Sequence, residues 1–308
     1  MNAPLPIRAG TRGSPLALVQ TRTFLRLLAA AGQEVIINTT GDAVQDRPLA
    51  DIGGKGLFAK EIHEALLDRR IDCAVHSLKD LETELPPGIV LGCTLKREDA
   101  RDVLILGDTC GTPDQTDPLT ALPQGALIGT SSVRRQAQLL HFRPDLRVAS
   151  IRGNVQTRLR KLREGDCQAS LLALAGLRRL GMEVANAVIL DPEVMLPAAA
   201  QGIVGITVRA DDTALRDLLA VIEDPTARIA ATAERALLAA LDGSCRTPIG
   251  AHGQVSPDGS LTLTGLVARA DGSFLLRRTL TGPAADAERI GQALGAGLRA
   301  DSPADLFG

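Results

Sequence analysis

Residues Ile128–Leu139 read IGTSSVRRQAQL. An apolar run gives way to Gly-Thr, two serines follow, and an amphipathic pattern begins. That order is a strand turning into a Ser-capped helix. The adjacent arginines then fall in the first helical turn, already the positive end of the helix dipole. The pair is locally unfavourable there unless something anionic accompanies it. Two surface arginines directed into water are the plainer alternative. A similar passage stands near the start: IRAGTRGS, Ile7–Ser14, also leads from a strand through Gly-Thr to a serine-capped helix. The echo hints at two similar α/β domains.

Outward from these passages, strand and helix signals alternate. Ser14 caps a helix opened by Pro15 and expected to run to about Ala31, with Gly32 as its stop. Val35–Asn38 reads as a strand. Leu57–Asp68 reads as a helix with Leu57, Phe58, Ile62, Ala65 and Leu66 on one face. Ile71–Val75 is a buried strand and Gly107–Pro118 a loop. Further strands at Ala126–Gly129, Arg147–Ile151 and Ala169–Ala173, with a helix over Val155–Arg163, give the βαβ rhythm of an α/β fold. Beyond about Asp211 the order changes. Helix Pro225–Leu241, strands Leu261–Arg269 and Ser273–Leu280, and helix Ala284–Arg299 suggest a small α+β domain.

The 308 residues are 45% hydrophobic and 23% charged, with five Phe, no Trp and no Tyr. The cores are therefore aliphatic, and the length allows two or three domains. A net charge of −2 supplies no global field for nucleic acid or acidic lipid, so any anion site is local. Cys73, Cys93, Cys110, Cys167 and Cys245 are odd in number, scattered and without zinc spacing, which favours a reducing compartment. The opening MNAPLPIRAGTRG lacks the apolar core of a signal peptide, and no apolar run is long enough to span a membrane. The expectation is a cytoplasmic protein with neither nucleic-acid nor membrane partners.

In open α/β sheets, ligands bind beyond the carboxyl ends of the strands. Four polar clusters are expected there: Thr11–Ser14, His76–Asp80, Ser131–Arg135 and Arg152–Asn154, with Arg158 following. Together they point to one strongly anionic ligand, since arginine suits a bidentate grip on carboxylate or phosphate. Asp80 is the odd member. It is either an ion-pair partner for its neighbours or a group that steadies a cation and moves a proton. The stretch IGGKGLF, Ile52–Phe58, fails as a P-loop because Leu49 and Gly56 stand where Gly and Ser/Thr belong. Its glycines and Lys55 fit a lid better. The histidines show no metal spacing, and no metal is expected.

These residues carry a resemblance. RGSPLAL, PLADIGGKGLFAKEIHEALL, AVHSLKD, KREDARDV, GTSSVRRQAQL, RPDL, RGNVQTRL, LALAGLRRLG, QGIVGI and AERALLAALDGSCRTPIG run in order from Ile7 to about Ile249. The chain resembles the porphobilinogen deaminases, or hydroxymethylbilane synthases, transferases of tetrapyrrole, porphyrin and heme biosynthesis. The resemblance implies two similar binding-protein-like α/β domains around a cleft, plus a small α+β C-terminal domain. The boundaries expected are 1–98 with 197–215, 102–192, and 218–308. It also implies a monomer.

Family members deaminate and polymerise four porphobilinogen molecules head to tail onto a covalent dipyrromethane, then hydrolyse the product to hydroxymethylbilane. The matching attachment residue is Cys245. Each porphobilinogen carries an acetate and a propionate, so the growing chain is a polycarboxylate. Arg12, Arg134, Arg135, Arg152, Arg158 and Arg179 match anion-binding positions. Ser14, Gln20, Lys55 and Phe58 match substrate contacts, and Lys79, Ser131 and Gly153 cofactor contacts. Asp80 matches the aspartate that stabilises the cationic ring left by loss of ammonia, and that handles the proton displaced on coupling. Ser244, Arg246, Glu82, Gln168-Ala169-Ser170 and Ala200 depart from the usual pattern, Ala200 standing in place of glycine. The competing reading is a non-catalytic two-lobed binding protein for a small polyanion.

Overall fold

The computed structural model describes residues 6–29, 31–43, 58–114, 116–242 and 247–307. Elements are numbered along the whole chain. The first unit comprises Met1–Glu98 and Gly202–Ile229. It contains β1 (Ile7–Thr11), α1 (Pro15–Leu28), β2 (Gly32–Ile36), α2 (Thr40–Ala43), α3 (Lys60–Leu67), β3 (Cys73–Ser77) and β4 (Ile89–Thr94). After an excursion into the second unit the chain adds β10 (Val204–Arg209) and α7 (Thr213–Ala220). The sheet order is β2-β1-β3-β10-β4. β1 runs parallel to β2 and β3, whereas β10 is antiparallel to both its neighbours.

Period-two alternation buries both faces of this sheet. Cys73, Val75, Ile206 and Val208 pack with Phe24 and Leu28 of α1 and with Leu215 and Leu219 of α7. Ala74, on the opposite face, packs with Ile62, Ala65 and Leu66 of α3. Several boundaries differ from the sequence reading: β2 spans Gly32–Ile36 in place of Val35–Asn38, β3 Cys73–Ser77 in place of Ile71–Val75, and α3 starts only at Lys60, which leaves Phe58 outside it. α1 stops at Leu28 because Ala29 turns left-handed at φ 51 and its N–H closes on the Arg26 carbonyl. Gly32, expected as the stop, instead opens β2. Leu57, assigned to the face of α3, lies outside the described residues.

The second unit comprises Asp99–Gln201 and Ala230–Gly308. β5 (Asp102–Leu106), β6 (Leu127–Gly129), α4 (Val133–Phe142), β7 (Arg147–Ala149), α5 (Val155–Arg163), β8 (Ala169–Ala173), α6 (Leu174–Arg179) and β9 (Ala187–Ile189) follow in order. The sheet order is β7-β6-β8-β5-β9. This is the plan of the first sheet: β6 is parallel to β7 and β8, and β5 is antiparallel to both its neighbours. Thus the echoed passages at Ile7 and Ile128 form equivalent strands. In each sheet the reversed strand, β5 or β10, is the first laid down after the chain passes from one unit to the other.

A third sheet follows α8 (Pro225–Ala240), within which the unit boundary falls. β11 (Ile249–Val255), β12 (Ser260–Ala268) and β13 (Leu275–Pro283) form an antiparallel meander closed by α9 (Ala287–Ala300). The sequence reading missed β11, whose IGAHGQV pattern has two glycines and little β-branched character. The meander packs on α4. Ala137 and Leu196 cluster with Leu266 and Ala268, and Gln136 Nε2 donates to the Ala270 carbonyl at 3.0 Å.

Helices α8 and α9 approach closely through small residues. A Cβ on Gly291 would press on the Ala233 carbonyl and stand 2.7 Å from Ala236 Cβ. In an open helix interior, Gly→Ala stabilises by about 1 kcal/mol. Here overpacking reverses the sign: Gly291→Ala is expected to destabilise by about 1–3 kcal/mol. Urea unfolding midpoints read the difference, and a midpoint at or above the parent's refutes the close packing.

Candidate active site

In the first unit, β1 delivers the chain to Arg12 and Gly13, and Ser14 caps α1 by accepting from the Ala17 N–H at 3.3 Å. Buried Gln20, further along α1, donates through Nε2 to Ser77 Oγ at 2.9 Å. Ser77 ends β3, and the next residues tighten into the 3-10 turn Leu78–Asp80, with Leu78 buried, Lys79 half-buried and Asp80 exposed. The Arg12 guanidinium lies over the Phe58 ring, 4.1 Å from its centroid, a cation–π contact that aims both side chains. Arg12, Ser14, Gln20, Phe58, Ser77 and Asp80 line a single pocket. His76 joins them, with Nε2 fixed 2.9 Å from Thr207 Oγ1 on β10. Behind it lies His63, whose imidazole is pushed down by burial, with the Glu82 charge opposing.

The second unit holds the paired arginines. Ser132 caps α4 by accepting from the Arg135 N–H, so Arg134 and Arg135 do occupy its first turn. Both are 5% exposed, and between them lies Asp102 at 0%. Arg134 Nη2 donates to Asp102 Oδ2 at 2.7 Å, and Arg135 Nη2 to Oδ1 at 2.7 Å. Each guanidinium also holds a backbone carbonyl, Arg134 that of Leu196 and Arg135 that of Leu171. Arg135 Nε is buried with no partner. Burial alone raises the Asp102 carboxyl, but the two guanidinium charges and their hydrogen bonds overcome this and hold it well below the usual carboxylate range.

The remaining expected residues belong to the same unit. Ser131 Oγ donates to the Ile151 carbonyl at 2.8 Å, joining the turn after β6 to that after β7. Gly153 adopts φ +112, a backbone only glycine takes without strain, and a Cβ there would strike Thr157. The Gly153 carbonyl accepts from Arg158 Nε at 3.0 Å, while Asn154 caps α5. Arg152 and Arg179 are half-buried, the latter ending α6. Gln168 and Ser170, among the departures, are bonded to neighbouring backbone. Gln168 Oε1 accepts from Leu127 N at 2.9 Å, and Ser170 Oγ donates to the Gly129 carbonyl at 2.8 Å. Lys55, Cys245, Ser244, Arg246 and the glycines of residues 52–57 lie outside the described residues.

The four clusters thus sit at the carboxyl ends of β1, β3, β6 and β7, two in each unit. Sequence reasoning missed Asp102, although a carboxylate at the head of the apolar strand DVLIL is a visible signal. His76 lines the pocket and is also hydrogen-bonded within the sheet.

Residues 7–217 match the family model described as porphobilinogen deaminase, dipyromethane cofactor binding domain, and residues 228–300 match that of porphobilinogen deaminase, C-terminal domain. Among similar proteins, the porphobilinogen deaminase of Paracoccus denitrificans is 50% identical over 310 residues, covering 98% of this chain and 96% of that one. The chloroplastic porphobilinogen deaminase of Oryza sativa subsp. japonica is 50% identical over 286 residues, covering 90% and 78%. Likeness to solved structures is slight. An ancestral cationic amino acid solute binding protein is 11% identical at a TM-score of 0.41, over 70% of this chain and 86% of that one, too little to bear on function. Among the described residues no helix is long and apolar enough to cross a membrane. The matches support a transferase with a dipyrromethane cofactor over a non-catalytic binding protein. Two family models and relatives half identical along nearly the whole length leave one conclusion: the chain belongs to the porphobilinogen deaminase family.

Proposed function

We propose that this chain couples porphobilinogen units onto a dipyrromethane held through Cys245, with Asp80 as the residue that meets the charge developing on each incoming ring. The observation that carries the reading is the pocket in which Asp80 stands with Arg12, Ser14 and Gln20, at the carboxyl ends of β1 and β3. A carboxylate lining the pocket favours a transition state in which positive charge develops over the neutral ground state. Its exposure lets it pass the displaced proton to solvent. Arg12, its guanidinium over the Phe58 ring, carries the N–H donors that a bidentate grip on an acetate or propionate needs. Arg152, Arg158 and Arg179 serve the same purpose in the second unit, Arg158 bonded to the Gly153 carbonyl. Lys79 and Lys55 add further cations.

The residues on hand suit the cofactor. Dipyrromethane is a polycarboxylate, and the Arg134–Arg135–Asp102 triplet is buried with one positive charge in excess and one N–H unpartnered. When bound, the cofactor supplies the free pyrrole carbon on which the product grows. The family resemblance assigns Cys245 as its anchor. Burial pushes up the thiols of Cys73, Cys110 and Cys167, and Cys93 is pushed up to about 12, so none of these is a thiolate near neutral pH. The reading takes the working protein as a cytoplasmic monomer with no nucleic-acid partner. It takes the spans 1–98 with 197–215, 102–192 and 218–308 as its functional domains.

With no Trp and no Tyr, the bare polypeptide contributes almost nothing to long-wavelength ultraviolet absorption. Purified protein is expected to give a pyrrole colour with an acidic aldehyde reagent and an intact mass above the bare chain by two linked pyrroles. Cys245→Ala should abolish both signals. A parent protein of bare-chain mass after exposure to porphobilinogen defeats the reading outright. Asp80→Ala should keep the added mass yet lose about 10²–10³-fold in kcat. Turnover within a few-fold of the parent would remove Asp80 from its role.

A further inference from the structure

Asp102 heads β5, just after the chain enters the second unit at Asp99, and Gln201 is the last residue before it leaves at Gly202. The two are in contact. Gln201 Nε2 donates to Asp102 Oδ1 at 2.8 Å and to the Ala100 carbonyl at 2.7 Å. One buried carboxylate therefore accepts from Arg134, from Arg135 and from the residue at the exit of the unit.

The charges in this cluster do not balance. Two guanidinium groups against one carboxylate leave a single positive charge where both arginines are 5% exposed. Water cannot screen it, and a buried charge without a counter-ion is costly. It also stands at the N-terminal turn of α4, where the helix dipole is positive. Asp102 neutralises one arginine and, by bridging both, prevents either from swinging out to solvent. What remains is a fixed, desolvated cationic edge that includes the unpartnered Arg135 Nε.

We propose that Asp102 is a positioning residue for the cofactor. It clamps Arg134 and Arg135 and sets their combined charge one short of neutrality, so that a cofactor carboxylate completes the balance and the unloaded protein is held below its full stability. This rests on the reading that the arginine pair receives carboxylates of the dipyrromethane. A purely structural ion triplet would be indifferent to loading.

The test compares thermal midpoints of cofactor-free and cofactor-loaded protein, with loading scored by intact mass. In Asp102→Asn the excess rises to two charges. The cofactor-free midpoint should drop by roughly 5–10 °C and the loaded one by less than half as much, so the gain on loading exceeds the parent's. Arg135→Met leaves a neutral Arg134–Asp102 pair, and its gain on loading should shrink to less than half the parent's. Arg135→Met decides the matter if Asp102→Asn does not fold. Equal gains on loading in the parent and the variants overturn the proposal. A parent that acquires no cofactor mass overturns the underlying reading as well, and does so before any variant is made.

Discussion

The carboxylate of Asp102 is the constraint on which the second unit depends. Its two oxygens accept from Arg134 at the start of α4 and from Arg135 one residue later. Those arginines in turn hold the Leu196 and Leu171 carbonyls. One group thus binds the reversed strand β5, the helix above it, the neighbouring strand β8 and the segment leading back toward β10. Each contact is short and charge-assisted, and none is exposed to competition from water. The cost of burying three charges is high, and an apolar cluster of similar volume would serve stability as well. Retaining the ions makes physical sense where a charge is needed in place before its partner arrives.

That arrangement alters the answer to the question raised by two arginines in one helical turn. The sequence argument requires an anion at the helix start, and the structure supplies one from within the chain, on a strand that precedes the helix by some thirty residues. The polycarboxylate implied by the family is then a second anion and not the first. One carboxylate cannot balance two guanidinium groups, so the two answers are compatible.

Much of the fold was legible because local chemistry and tertiary context agree. Ser14, Ser132 and Asn154 cap the helices they precede, and the Gly-Thr echo at Thr11 and Thr130 marks equivalent strand ends. Arg12, Ser14 and Asp80 were readable for the same reason, since each stands within three residues of a strand end, whereas Gln20 and Phe58 came only from the family resemblance. The illegible parts are those set by distant contacts. Asp102 lies far in sequence from the arginines that explain it. β11 is a strand because β12 pairs with it along its full length, not through any pattern of its own. α1 ends early because Ala29 accepts a left-handed turn that no propensity scale assigns to alanine.

Ala200 shows the same principle at the exit from the second unit. The family pattern favours glycine at this position, and the backbone at φ 60 explains why, since a Cβ in the left-handed region is strained. Its backbone N–H donates to Glu234, a fully buried carboxylate on α8 whose other oxygen accepts from the Gly253 N–H on β11; glycine would make the same bond, and nothing in the structure explains alanine in its place. Consecutive residues, Ala200 and Gln201, are therefore each tied to a different buried carboxylate, one on α8 and one on β5. The last residues before the chain leaves this unit are held from two elements at once, so departure of either carboxylate would loosen a segment that both the arginine pair and the third sheet depend on.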